Sequence, residues 1–231
     1  MRPCPDTWLI ILDKVDSTND YIKRYVAGGE DVAVCAKVQT NGKGTKGRKF
    51  ISDAGGLYVS VLKFYYGLTA DRAYSIISDT AVAVVKTLSA FGLDAKIKWP
   101  NDIIVEGKKI CGILTESVLS GNFVHHSVIG IGINLNSVIP PELKDIAISA
   151  KAVTGKEYNI DAVLFTLLYN LEQKQEVGLY ARYSCVLGKT ITVVKPDGSE
   201  YQAVAEAVLE DGRLRLVGGE VLTSAEIKIK I

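Results

Sequence analysis

Lys98-Trp99-Pro100-Asn101-Asp102 is followed closely by Lys108-Lys109-Ile110-Cys111-Gly112-Ile113-Leu114-Thr115-Glu116, and these two stretches decide how the middle of the chain folds. Residues 95–99, 103–105, 109–119 and 123–133 read as strands, rich in Ile, Val and Leu and bounded by turn residues. Glu106-Gly107 and Ser120-Gly121-Asn122 are breaks of hairpin length, so an antiparallel meander is predicted.

Upstream, residues 8–15, 32–38 and 57–64 read as further strands. Ser17-Thr18-Asn19-Asp20 has the spacing of a capping box, with Asp in place of Glu or Gln, and opens a helix that stops at Gly28-Gly29. Residues 70–91 repeat apolar side chains at helical spacing up to Gly92, with Ile76, Ile77, Val84, Val85 and Leu88 on or near one face. A helix from 160 to about 177 closes this part. Beyond Leu187 the texture changes to short alternating strands at 190–194, 202–209 and 213–217, punctuated by Asp197-Gly198, Asp211-Gly212 and Gly218-Gly219, which predicts a small β-barrel. The expected division is 1–184 for a large α+β domain and 185–231 for the barrel.

With 48% apolar residues in 231, the chain can bury a full core. Its 27 basic and 26 acidic residues leave a net charge of +1, which provides no global field for nucleic acid or an anionic membrane. No apolar run approaches the roughly 18 residues of a membrane span, and 8–12 is too short for a signal-peptide core. Cys4, Cys35, Cys111 and Cys185 are widely spaced and read as reduced packing residues of a cytoplasmic protein. His125 and His126 are the only histidines, and no Cys or acidic cluster joins them at ligand spacing, so no protein-held metal is expected.

The long segment Gln39 to Gly56 has no period and is dense in glycine and in Lys or Arg. Gly42-Lys43-Gly44-Thr45-Lys46-Gly47 fits the dinucleotide pattern, but a strand follows where that fingerprint needs a helix. A Walker A loop would need Lys then Ser or Thr where this chain has Arg48-Lys49. Taken alone, these cations also describe a solvated face. The chemical alternative is a loop whose lysines and backbone N–H groups bring two anions together, ordering only when they bind.

Taken together, 98–102, 108–116, the glycine-rich loop, Asp16-Ser17-Thr18-Asn19 and Gly130-Ile131-Gly132-Ile133-Asn134 resemble the signature of biotin protein ligases. The resemblance spans nearly the whole chain. It implies a catalytic domain like that of class II aminoacyl-tRNA synthetases, an SH3-like C-terminal barrel, and a two-step reaction. Biotin and ATP give biotinyl-AMP and pyrophosphate; biotin then passes to a lysine of a carboxylase's biotin carboxyl carrier domain. Magnesium would arrive with ATP. Family members often pair through strands of the large domain, so a homodimer is within its reach. Fifteen residues precede Asp16, too few for the helix-turn-helix that some members carry, so no nucleic-acid partner is expected.

The same resemblance assigns roles. Ser17, Thr18 and Gln39 would meet the ureido ring of biotin, although Ser17 and Thr18 also suit a helix cap; Asn19, Gly42, Lys43, Gly44, Thr45, Lys109 and Gly112 would complete the biotin site. Lys43, Arg48, Asn101, Lys109 and Asn134 would face ATP. Lys109 would hold carboxylate and α-phosphate together, with Lys43 assisting, and Asp102 would serve the incoming lysine, which attacks only as the neutral amine. Trp99 and Pro100 are expected to be packing residues. Phe50 stands where the family usually has tryptophan, Lys43 replaces an arginine of many members, and Thr45 departs from a common arginine. Two other readings stay open: a lipoate-type ligase of the same fold, and a non-catalytic biotin sensor.

Overall fold

The computed structural model describes residues 7–229 apart from 177, 196 and 224. Seven strands form the main sheet: β1 (Trp8–Val15), β2 (Val32–Gln39), β3 (Leu57–Phe64), β4 (Lys96–Lys98), β5 (Asp102–Val105), β6 (Lys108–Ser120) and β7 (Phe123–Ile133). Their order across the sheet is β1-β2-β3-β7-β6-β5-β4. The meander from β4 to β7 is antiparallel throughout, as predicted. β1 and β2 pair in parallel, connected by a short helix α1 (Thr18–Ile22) and a 3-10 turn, Lys23–Gly28.

Both faces of the central strands β2, β3 and β7 are covered, so these read as nearly continuous apolar runs. Alternation still sorts the residues. Val59, Val61, Cys111, Ile113, Ile129, Ile131 and Ile133 join the main core with helices α2 (Ser75–Ala90) and α4 (Ile160–Glu172). The opposite face carries Val32, Val34, Leu62 and Val128, packed with Ile22 of α1. On that second face β3, β6 and β7 also present Ser60, Gly112, Gly130 and Gly132, which leave a small patch of floor bordered by Tyr58 and Leu114.

Several boundaries differ from expectation. The helix placed at 70–91 begins only at Ser75; Ala70–Arg72 is a separate 3-10 turn, and Ala70 N donates to the Asn122 carbonyl, which ties it to the β6–β7 hairpin. The helix from 160 ends at Glu172, with a further helix α5 (Leu179–Tyr183); Val177 lies outside the described residues. A short α3 (Ala150–Thr154) was not foreseen. The capping arrangement is also divided: Ser17 Oγ accepts weakly from Asp20 N at 3.4 Å, while Ser17 N donates to Asp16 rather than to Asp20.

The C-terminal part is a five-stranded sheet, β11-β10-β9-β8-β12, built from β8 (Thr190–Val194), β9 (Glu200–Val208), β10 (Leu214–Leu216), β11 (Val221–Leu222) and β12 (Glu226–Lys228). Ile191, Val193, Ala205, Leu214 and Leu216 belong to the same apolar core as the main sheet. The junction is specific. Trp99, 2% exposed, donates its indole N–H to the Gly212 carbonyl at 3.0 Å, so its packing role has a polar anchor. Gly212 has φ +88°, and a Cβ there would lie 2.5 Å from Ser78 Oγ and 2.7 Å from the Tyr74 carbonyl. Cys35, Cys111 and Cys185 are free thiols, and burial pushes Cys35 up to about 12; Cys4 is outside the described residues.

Gly212→Ala is therefore expected to lower the unfolding free energy by roughly 2 to 4 kcal/mol, through backbone strain and collision with a main-chain atom. Urea unfolding followed by tryptophan fluorescence checks this, and a loss below about 0.5 kcal/mol would refute the tight junction.

Candidate active site

A strand with period two cannot point Lys109 and Gly112 to the same face. β6 resolves this with a bulge: Asp102 pairs with Gly112 and Ile103 with Cys111, but Ile104 pairs with Lys109, so Ile110 is the extra residue. Ile110 is fully buried. Lys109 thereby shares a face with Asp102, and their side chains meet at 2.6 Å. Main-chain bonds between Lys109 and Ile146 and between Lys109 and Ile148 fix the bulge from outside.

The floor beside this pair is made by glycine. Gly112 stands opposite Gly132 across β6 and β7. A Cβ at Gly132 would come within 2.6 Å of the Phe50 ring, and one at Gly112 would meet Lys109 Nζ and Cε at 3.0 Å. Phe50 thus lies directly over the glycines as an apolar lid.

One end of the cleft is polar. Thr18 N and Oγ1 approach Gln39 Oε1 at 2.8 and 3.0 Å, and Gln39 Nε2 donates to Ser52 at 2.9 Å. Ser60 Oγ lies 2.6 Å from Asn19 Oδ1 and 2.8 Å from Thr18 Oγ1. A hydroxyl has a single proton, so Ser60 donates to Asn19, whose oxygen only accepts. Asn19 Nδ2 in turn donates to Glu116 at 3.0 Å. Asn19, Ser60 and Glu116 therefore brace the cleft wall; the sequence reading assigned no role to Ser60 or Glu116, because each lies far along the chain from its partner.

The segment expected to be irregular is a compact hairpin. Gly44 N donates to Arg48 O at 2.7 Å and Phe50 N to Gly42 O at 2.9 Å, bringing Lys43 opposite Lys49. Gly42 lies behind the cleft, where a side chain would strike Phe50 O and Ser52. Thr45 starts a single 3-10 turn in which Lys46 has φ 57°. Three cations of the hairpin have a carboxylate. Lys43 reaches Asp20 at 2.6 Å; Arg48 reaches Glu226 with both terminal nitrogens, at 3.1 and 3.4 Å; Lys46 lies 3.7 Å from Glu226.

Ser17, Thr18, Asn19, Gln39, Lys43, Gly44, Thr45, Asn101, Lys109 and Gly112 thus line one narrow cleft. It opens into a wider one bordered by Arg48, Asp102 and Asn134, by the stretch from Val138 to Pro140, and by Thr223, Ala225, Glu226, Ile227 and Ile229 of the C-terminal sheet. Asn101 Nδ2 donates to the Ile113 carbonyl at 2.7 Å, and Asn134 Nδ2 to that of Ile148 at 3.3 Å, so both amides have structural partners at the cleft rim. Among the described residues no three His, Cys, Asp or Glu side chains stand together as metal ligands. His125 and His126 face each other instead, with Nδ1 atoms 2.8 Å apart, and burial lowers the His126 pKa.

A profile of the biotin/lipoate A/B protein ligase family matches residues 12–134. The chain belongs to this family. It is 36% identical over 150 residues to the bifunctional ligase/repressor BirA of Bacillus spizizenii, covering 63% of this chain and 46% of that protein. It therefore spans about half the length of that relative. The biotin--[acetyl-CoA-carboxylase] ligase of Mycobacterium tuberculosis is 27% identical over 235 residues, 93% of this chain and 85% of that one. Among solved structures, the biotin protein ligase from Aquifex aeolicus in complex with biotin and ATP superimposes with a TM-score of 0.78 at 28% identity, covering 96% of this chain and 97% of that one.

Burial opposes ionisation of Asp20, but hydrogen bonds and charge from Lys43 and Lys23 outweigh it, and its pKa lies below the ordinary carboxylate value. A folded-state pKa below the unfolded value gives stability that is complete above about pH 4 and is lost as pH falls through the folded pKa. Asp20→Asn should thus cost about 0.3 to 1 kcal/mol at pH 7, the pair being partly exposed, and less at pH 3. Urea midpoints at the two pH values test this; a gap that widens on acidification would contradict the Lys43–Asp20 tether.

Proposed function

We propose that this protein activates biotin with ATP to biotinyl-5'-AMP, releasing pyrophosphate, and transfers biotin to a lysine of a biotin carboxyl carrier domain. The observation that carries the reading is the meeting of Lys109 and Asp102 at 2.6 Å beside the Gly112–Gly132 floor. A flat apolar slot with a polar end suits a bicyclic ureido compound, and a lysine at its other end suits two anions that must meet. Lys109 would draw carboxylate and α-phosphate together and stabilise the charge that grows as the phosphorus is attacked. Asp102 would then receive the acceptor lysine's ammonium and orient the amine that attacks the mixed anhydride.

In this reading Ser17, Thr18 and Gln39 turn their polar atoms to the ureido group, Phe50 covers it, and Arg48, Asn101 and Asn134 face the nucleotide in the wider cleft. Magnesium would come on the ATP phosphates as part of the substrate, held by phosphate oxygens and water. The relatives from Mycobacterium tuberculosis and Aquifex aeolicus are biotin ligases, which favours biotin over lipoate. The presence of both Lys109 and the basic hairpin favours catalysis over sensing.

The class II synthetase-like catalytic domain at 1–184, the SH3-like barrel at 185–231 and a cytoplasmic location belong to the same proposal. Among the described residues no helix is long and apolar enough to cross a membrane. The outer edge of β6 beyond Gly112 is unpaired by β5 and exposes Val118 and Leu119, which suits pairing with a second copy.

Biotin-dependent release of pyrophosphate from ATP is the deciding assay. Lys109→Ala should slow adenylate formation by ~10²-fold or more while biotin still binds; near wild-type turnover would remove Lys109 from the mechanism. Thr45 has neither charge nor reach, and the cations beside it, Lys46 and Arg48, are engaged by Glu226. Thr45→Arg should therefore slow escape of preformed biotinyl-AMP, by roughly tenfold or more for a charge-assisted hydrogen bond. Equal dissociation rates would show that the hairpin already holds the intermediate without it.

A further inference from the structure

Glu226 belongs to the C-terminal sheet, yet its carboxylate borders the wider cleft and engages two cations of the glycine-rich hairpin. Arg48 meets it through two nitrogens, the geometry in which guanidinium and carboxylate match best. We propose that Glu226 is a positioning residue that holds the hairpin against the C-terminal sheet and competes with the phosphates of ATP for Arg48 and Lys46. The inference rests on the nucleotide being ATP, as proposed above.

The argument is electrostatic. A polyphosphate entering the wider cleft needs cations that are not already neutralised, and it is repelled by a fixed negative charge on the wall. Glu226 provides both obstacles. Its partners are more than half exposed, at 58% for Arg48 and 51% for Lys46, so the pairs are weak enough for a multiply charged anion to break. A second carboxylate on the same sheet makes a natural control: Glu200 pairs with Lys228 at 2.6 Å and is absent from the cleft wall.

The test is the KM for ATP in biotin-dependent pyrophosphate release by the full chain, for wild type, Glu226→Gln, Glu226→Asp and Glu200→Gln. The isosteric Glu226→Gln is expected to lower that KM by roughly two- to fivefold, the range for an exposed ion pair, with the KM for biotin unchanged. Glu226→Asp keeps the charge and should stay close to wild type, as should Glu200→Gln. Damage to the fold would raise KM or lower kcat, the opposite sign. An unchanged or raised KM in Glu226→Gln overturns the proposal, and so does an Asp variant that behaves like Gln. If wild type releases no pyrophosphate, the reading of the activity fails instead; binding of ATP to the same four proteins, measured by calorimetry, then decides the Glu226 proposal alone, with the same order of affinities expected.

Discussion

The site depends on one extra residue in β6. A regular strand would place Ile110, not Lys109, opposite Ile104, and the amine would point into the apolar core between sheet and helix. The bulge at Ile110 reverses this locally, burying an isoleucine and turning a lysine to the cleft, so hydrophobic burial and the Lys109–Asp102 contact are satisfied by the same irregularity. From that point the register runs on unbroken to Gly112 opposite Gly132, which keeps that part of the floor clear.

The second principle of the site is that its cations are held by carboxylates from other elements of the fold. Asp20 from α1 takes Lys43, Asp102 from β5 takes Lys109, and Glu226 from β12 takes Arg48 and Lys46. Partly exposed pairs of this kind are each worth about 0.2 to 1 kcal/mol. That is enough to give long flexible side chains a preferred direction, and too little to prevent exchange for a more highly charged partner. A basic loop thus avoids self-repulsion while staying available to anions.

The sequence made much of this legible, and the failures have local causes. β1 and β3 begin and end where apolar runs meet turn residues, and the meander followed from two short breaks at Glu106-Gly107 and Ser120-Gly121-Asn122. The bulge was invisible because Ile110 to Leu114 is apolar on both faces and shows no alternation to interrupt. β11 and β12, of two and three residues, are too short to carry a period. The start of α2 was misplaced because 70–74 has helical composition, whereas a main-chain bond to the β6–β7 turn takes it elsewhere. The family signature brought together the residues that face the cleft. It gave no role to Asp20, Ser60, Glu116 or Glu226, whose partners only pairing across the fold reveals.

The anchoring of Trp99 to the Gly212 carbonyl has a bearing on how such proteins can be recombined. A C-terminal sheet transplanted from a relative would need more than compatible ends near Leu187. It would have to present a residue that tolerates φ +88° against Tyr74 and Ser78, and offer a free carbonyl to an indole. It would also have to carry an acid facing the hairpin. The two parts of the chain are therefore matched like lock plates, and swaps between distant relatives should succeed only when these contact points travel together.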